Sequence, residues 1–117
     1  MSQFVNANGN TLLNLNFSLE EQETGLYWID AKKIYCKGYK GTLPQTQTAI
    51  DKIEDIDNLL LCLGVAGAIH GWYINVNQYF NAGYRWTCQK YGNQLYLGVE
   101  DYSKDKPYQL IVLYTKK

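Results

Sequence analysis

Alternating apolar and polar side chains recur along this chain, and their two-residue period predicts β-strands. In residues 72–77, Trp72, Ile74 and Val76 fall on one face of the predicted strand, and a tyrosine and two asparagines fall on the other. Residues 95–100 alternate in the same way, with two leucines and a valine on one face. We therefore expect sheets that bury one face against a core.

The stretch 19–44 predicts a β-hairpin. Two runs rich in aromatic and β-branched residues, 26–29 and 33–39, flank the short polar segment 30–32. A polar and acidic lead-in ends at Gly25, before the first run. We expect the two runs to pair as antiparallel strands across a tight turn.

A continuous apolar run at Leu59–Leu63 predicts a central strand that is buried on both faces and lies next to the hairpin strands. Further strands are predicted at 85–89 and 108–115, with a hairpin turn at 91–93. Counted this way, about eight short strands follow one another at spacings of ~8 to 12 residues. The predicted fold is all-β, a small antiparallel β-sandwich of jelly-roll-like type.

The composition fits one β-rich domain without a strongly charged partner. The chain has 117 residues, and 15% of them are aromatic. Basic and acidic residues number 11 each, so no net charge favours nucleic acid or an anionic membrane as a partner. No apolar run approaches the ~20 residues that span a bilayer, and no secretory leader pattern opens the chain. We expect synthesis and folding in the cytoplasm of a host cell.

Residues that often carry metal or redox chemistry are few. Cys36, Cys62 and Cys88 form no CxxC pair, and each lies in or beside an apolar run, so we expect structural thiols rather than a zinc site or a disulfide framework. His70 is the only histidine, and no metal-ligand spacing surrounds it. We expect no metal and no cofactor.

Two acidic groups, at 20–23 and 54–57, raise the question of paired glycosidase carboxylates. Both groups fall in polar, turn-like surroundings, where solvated charge is the usual explanation. The chain also lacks a phosphate-cradling glycine motif and a nucleophile elbow. We therefore expect no catalytic residues.

Residues 1–17 form a polar, asparagine-rich arm ahead of the predicted domain at 18–117. Within the arm, Leu13, Leu15 and Phe17 alternate with asparagines and would share one face of a strand. A polar arm before a compact domain often serves as a flexible or docking segment. We interpret these three residues as a candidate docking site.

Aromatic residues concentrate in the second half of the chain. Aromatic faces beside asparagine and glutamine amides stack on sugar rings and hydrogen-bond their hydroxyls, but they also fill cores and subunit interfaces. We expect part of this set to bind a host surface or glycan. The set comprises Trp72, Tyr73, Tyr79, Phe80, Tyr84 and Trp86.

Several short motifs together resemble the distal, C-terminal β-domain of bacteriophage tail fibres, head fibres and minor virion structural proteins. The likeness runs from Ser18 to Lys116, and its pieces keep a common order and spacing. The most specific pieces are Glu20–Gln22 with Gly25, Trp28–Asp30, Lys33–Tyr35, Gly41–Pro44, Ile56–Asp57 and Val112–Lys116.

The resemblance implies an all-β domain, usually trimeric, that ends a fibre and meets the host surface. It supplies no catalytic motif. This chain departs from the family pattern at Ala31, where the hairpin turn usually has glycine, and at Lys32-Lys33, where Lys-Pro is common. These departures leave the turn geometry open.

Two interpretations compete for residues 49–57. Ile50, Ile53 and Ile56 recur every three residues with charges between them, which favours a short amphipathic helix. The resembling family instead has a strand and a tight turn at the corresponding place. We expect a strand that begins at Thr46 and a turn near residues 54–58.

Taken together, these observations predict a non-enzymatic virion structural protein. The expected form is a small capsid-attached head fibre or a tail-fibre tip that contributes to host attachment. Its expected partners are further copies of itself, most simply as a trimer, other capsid or tail proteins, and a host-surface glycan. The alternative is a lectin-type carbohydrate-binding module, and a small glycan hydrolase that uses Glu20, Glu21 or Glu23 is a third class.

Overall fold

Ten β-strands and no helix make up the part of the chain described by the structure, a computed structural model that covers residues 4–5, 11–13, 17–69, 72–78 and 83–117. The all-β prediction is confirmed. The strands are β1 Phe4–Val5, β2 Thr11–Leu13, β3 Gln22–Tyr27, β4 Lys33–Thr42, β5 Thr48–Lys52, β6 Ile56–Ile69, β7 Trp72–Asn75, β8 Trp86–Tyr91, β9 Gln94–Val99 and β10 Pro107–Lys116.

The strands form two main antiparallel sheets. One has five strands in the order β3-β4-β10-β6-β7, and the other has three in the order β5-β9-β8, while β1 and β2 pair separately. Apolar side chains from both main sheets form one core between them. Its buried members are Leu43, Ile53, Ile56, Ala66, Ile74, Val76, Trp86, Cys88, Leu95, Leu97, Tyr108, Leu110, Val112 and Tyr114.

The predicted alternation is confirmed where the side chains are described. Ile74 and Val76 are buried, and Tyr73 and Asn75 on the opposite face are exposed. In β9, Leu95 is buried, and the apolar residues two and four positions after it also face the core. The period of two therefore located the core face of these strands correctly.

The prediction for β6 is wrong in two respects. β10 lies between β6 and the hairpin strand β4, so the neighbours of β6 are β10 and β7. The strand also leaves Leu61 and Leu63 on an exposed face. A run of consecutive apolar residues shows no alternation, so the pattern does not distinguish a strand buried on both faces from one with an exposed face.

The predicted hairpin is confirmed as β3 and β4. At the turn, Ala31 N–H donates to Trp28 O at 2.9 Å, and Trp28 N–H donates to Lys32 O at 2.8 Å. Ala31 has a φ of 65°, a left-handed conformation that glycine adopts without steric cost. Alanine therefore occupies the turn geometry of a glycine. The predicted bounds of its first strand, 26–29, are wrong, because β3 is Gln22–Tyr27 and begins inside the polar lead-in.

Residues 48–56 form a strand and a turn as expected, and the helical alternative is wrong. β5 begins at Thr48 and pairs with β9. After it, Ile56 N–H donates to Ile53 O at 3.1 Å, and both isoleucines are buried in the core. The three-residue recurrence of isoleucine thus reflects a strand end and a tight turn. β6 begins at Ile56, so the turn ends earlier than predicted.

Candidate interaction surface

The five-stranded sheet carries apolar side chains on the side that faces away from the core. In the ladder between β10 and β6, Leu113 lies opposite Leu61 and Ile111 lies opposite Leu63, with Val65 following on β6. We call these five residues the outer apolar face. Leu61, Leu63 and Val65 are 47%, 53% and 42% exposed. Contiguous exposed apolar side chains of this kind are typical of interaction sites.

The sequence of β10 accounts for this face. Tyr108, Leu110, Val112 and Tyr114 alternate into the core, and the residues between Leu110 and Tyr114 are also apolar. A strand with apolar residues on both faces is typical of a sheet that is covered on both sides. The three-stranded sheet covers only one side of β10. The apolar residues on its other side are therefore typical of a surface that packs against another layer.

Next to the outer apolar face, a closed strip on β4 is covered by the chain itself. We call this set the closed strip. It consists of three residues that are buried on the same side of the sheet, Ile34, Cys36 and Gly38. Gly38 N–H donates to Ser18 O at 2.6 Å, and a Cβ atom added at Gly38 would lie 2.7 Å from the ring of Phe17. The short N-terminal segment therefore packs directly on this strip.

A shallow groove of ≈ 420 Å³ follows the outer apolar face. Its lining contains no charged side chain, and its polar groups are the neutral amides of Asn75 and Gln109. An uncharged, apolar groove suits another apolar protein surface better than a charged ligand. The full lining is Phe17, Leu63, Gly64, Val65, Asn75, Gln109, Leu110 and Ile111.

The predicted aromatic set is divided between core and surface. Trp86 is fully buried, its Nε1–H donates to Ile74 O at 2.8 Å, and its ring packs on Tyr108 at 5.8 Å between centroids. This residue belongs to the core and offers no surface ring, because β8 turns alternate residues inward. The apolar alternation of Trp86 and Cys88 was the sequence signal for this placement.

The other members of the aromatic set remain candidates for surface contacts. Tyr73 is 68% exposed, and Tyr84 is partly buried and stacks on Tyr102 with ring centroids 4.9 Å apart. The side chain of Trp72 and the whole of Tyr79 and Phe80 lie outside the described residues. Their predicted role in binding stays a prediction.

The predicted docking residues are described only in part. The backbone of Leu13 pairs with Phe4 in the small β1-β2 ladder, and its side chain is outside the described residues, as is all of Leu15. Phe17 is partly buried against Gly38. Phe17 thus already packs on its own chain, and the docking role of the set stays a prediction.

Two of the three carboxylates named for glycan hydrolysis, Glu21 and Glu23, take part in ion pairs. Glu21 accepts hydrogen bonds from the Tyr114 hydroxyl and the Lys116 ammonium, and Glu23 lies 3.1 Å from Lys33 Nζ. Burial, reinforced by Glu21, raises the pKa of Tyr114 well above its ordinary value. Among the described residues, no group of three or more potential metal ligands is present.

A polar cluster between the sheets was missed in the sequence. Asp51 on β5 accepts hydrogen bonds from Lys37 Nζ at 2.7 Å and from the Tyr39 hydroxyl at 2.6 Å, both on β4. Burial opposes ionisation of Asp51, but these hydrogen bonds outweigh it and hold its pKa below the ordinary value. Burial and Asp51 raise the pKa of Tyr39. The cluster joins β4 of the five-stranded sheet to β5, an edge strand of the three-stranded sheet.

Comparisons with known proteins do not assign a family. No family model matches the chain, and no match was found among curated proteins or solved structures. Within the described ranges, no helix has the length and apolar character that a membrane crossing requires. The physical character of the surface therefore has to support any functional proposal.

Proposed function

We propose that this chain is a non-enzymatic structural protein of a bacteriophage virion, either a small head fibre attached to the capsid or a tail-fibre tip that contributes to host attachment. The motifs between Ser18 and Lys116 that resemble phage fibre domains support this proposal, and so does the all-β fold. The jelly-roll-like arrangement and the location in the virion stay predictions.

The outer apolar face is the observation that carries the proposal. Leaving Leu61, Leu63 and Val65 in water is unfavourable by about 25 cal/mol for each Å² of apolar surface, and covering them with a second copy removes that cost. We infer a trimer in which this face packs around a three-fold axis. A closed symmetric assembly covers the face in every copy and displays three identical distal ends, so weak contacts to a host surface gain avidity.

The mass of the purified protein in solution, measured by light scattering, tests this proposal. We expect three times the 13.5 kDa of one chain. Leu63→Glu places a charge in the centre of the outer apolar face and should give a monomer with an unchanged far-UV circular dichroism spectrum. Ile29→Glu, at a hairpin-tip residue that is 91% exposed, is the matched control and should remain trimeric.

Two results would contradict the proposal. A wild-type protein that is monomeric over the full concentration range would leave the outer apolar face without the inferred partner. A trimer that persists in Leu63→Glu would place the interface elsewhere and remove the observation that supports the function.

A lectin-type carbohydrate-binding module is the second candidate. Exposed Tyr73 lines a groove of ≈ 440 Å³ together with Lys40, Gln109 and Pro107, so an aromatic ring lies close to amide and ammonium donors. This combination suits a sugar ring and its hydroxyls. Tight binding on a glycan array by a monomeric protein, lost in Tyr73→Ala and kept in Tyr91→Ala, would favour this candidate over the fibre module.

A further inference from the structure

Two thiols approach each other across the core, one from each main sheet. Cys62 lies on β6 and Cys88 on β8, and the Sγ atom of Cys62 is 3.9 Å from the carbonyl oxygen of Cys88. Cα atoms on β6 and β8 also come within 8 Å of each other. The two thiols therefore lie near each other where these strands meet, and a disulfide between them requires their Cα atoms to be about 4.4–6.8 Å apart.

The position of Cys88 is fixed by Asn77. The Asn77 side chain donates to Cys88 O at 3.2 Å and accepts from Cys88 N–H at 2.9 Å. Asn77 itself has a φ of 61°, a left-handed conformation that asparagine tolerates better than most residues. Both backbone groups of Cys88 are thus held by one side chain, which fixes the backbone of Cys88 next to Cys62.

The pKa values and the accessibility of the two thiols also favour a reaction that begins at Cys62. Hydrogen bonds from Cys88 and Asn77 outweigh burial and hold the pKa of Cys62 below its ordinary value. The pKa of Cys88 is raised, first by its contact with Cys62 and then by burial. A groove of ≈ 390 Å³ is lined by both cysteines, and Cys62 is only partly buried. A small reagent therefore has access to the more acidic thiol.

We propose that Cys62 and Cys88 form a disulfide between the two sheets when the protein meets a low-molecular-weight disulfide such as oxidised glutathione. The Cys62 thiolate attacks one sulfur of the reagent, forms a mixed disulfide and releases the first thiolate, which takes up the proton of Cys88. The Cys88 thiolate then attacks Cys62 Sγ and expels the second thiolate, which takes up from water the proton that Cys62 had released. Two protein thiols are oxidised, and one disulfide is reduced to two thiols.

The bond would join the two sheets covalently across the core. In the reduced protein, apolar packing and the Asp51 cluster hold β6, β8 and their sheets together. A protein made in a reducing cytoplasm would gain the cross-link after release into an oxidising medium, where disulfides persist. The proposal is independent of the proposed function, since it depends on the thiol pair and not on the outer apolar face.

Mass spectrometry of the intact protein, without reductant and after incubation with oxidised glutathione, tests the proposal. We expect a loss of about 2 Da with no added glutathione, and a fall from three titratable thiols to one in denaturant. Peptide mapping should find Cys62 joined to Cys88. The melting temperature should rise by several degrees, because the cross-link restricts the unfolded chain.

Three variants make the test specific. Cys36→Ser should lose the same mass as the wild type, Cys62→Ser should retain two titratable thiols, and Cys88→Ser should retain one, that of Cys36. In Cys88→Ser, Cys62 should stop at the mixed disulfide with glutathione. A cross-link that involves Cys36, a product joined only between chains, or three unreacted thiols in the folded wild type would overturn the proposal. Because mapping uses the wild type, a variant that folds poorly does not affect the outcome.

Discussion

The β4 and β6 strands lie on either side of β10 in one sheet, and on the side away from the core their apolar residues have opposite environments. On β4, Cys36 is buried, and Phe17 of the same chain packs on Gly38 in the closed strip. On β6, Leu61 is about half exposed. Cys36 and Leu61 both lie opposite Leu113, so the two environments begin at one strand. The chain itself therefore completes one half of this layer and leaves the other half exposed, which is the half that the proposed trimer would cover.

The largest expected effect comes from the same charge placed on each side of Leu113. Cys36→Asp places a carboxylate at a position that is 2% exposed and should lower the free energy of unfolding by roughly 3–5 kcal/mol, because a buried charge loses its hydration. Leu61→Asp should change the stability of the monomer by less than about 1 kcal/mol, because water still reaches the site. Urea unfolding at a concentration where the protein is monomeric measures both.

Equal losses in the two variants would remove the distinction between the closed strip and the outer apolar face. If Leu61→Asp were as damaging as Cys36→Asp, the exposed leucine would have to be covered by the chain itself. A second readout is the mass in solution, which should fall in Leu61→Asp for the reason given for Leu63→Glu.

Gly38→Ala tests how tightly the closed strip is packed. The added Cβ atom would lie 2.7 Å from both the Phe17 ring and the Ser18 carbonyl oxygen, so the N-terminal segment has to move. We expect a loss of about 2 kcal/mol in unfolding free energy, typical of overpacking. Differential scanning calorimetry measures it.

Combining Gly38→Ala with Phe17→Ala shows whether the Phe17 cover is the cause of that loss. The double variant should lose less than the sum of the two single variants, because the truncated side chain no longer collides with the new methyl group. Full additivity would show that Phe17 does not pack on Gly38 in solution.

The inner face of β4 is expected to contribute a smaller, pH-dependent term. Asp51→Asn removes the charge that binds Lys37 and Tyr39 and should cost about 1–2 kcal/mol at neutral pH. The exposed pair of Lys52 and Glu54 provides the control, and Glu54→Gln should cost less than about 0.5 kcal/mol. Urea unfolding at neutral pH compares the two.

The sign of the pH dependence follows from the lowered pKa of Asp51. A carboxyl whose pKa is lower in the folded state contributes its full stability above its ordinary pKa of 3.8 and loses it as the pH falls through the lowered value. The wild type should therefore lose more stability than Asp51→Asn between neutral pH and this acidic range. Parallel acid profiles of the two proteins would contradict an ionised Asp51 in the folded state.

The sequence predicted what local periodicity controls and missed what long-range register controls. Alternation placed Ile74 and Leu95 in the core correctly, and the polar segment 30–32 located the hairpin turn. The insertion of β10 between β4 and β6 depends on strands far apart in the chain, as does the meeting of Cys62 with Cys88. No local pattern reports such pairings, so the exposed face and the thiol pair became visible only in three dimensions.

The smallest expected effect is a gain in stability at the hairpin turn that precedes β4. Ala31→Gly relieves the steric cost of a left-handed alanine but adds freedom to the unfolded chain, so we expect a net stabilisation of about 0.5–1 kcal/mol. Ala49→Gly, in the interior of β5, is the control and should destabilise the protein by a similar amount. Thermal unfolding of the two variants should shift in opposite directions. A loss of stability in Ala31→Gly would mean that the turn in solution does not hold residue 31 in the left-handed conformation, and the start of β4 would then need a different register.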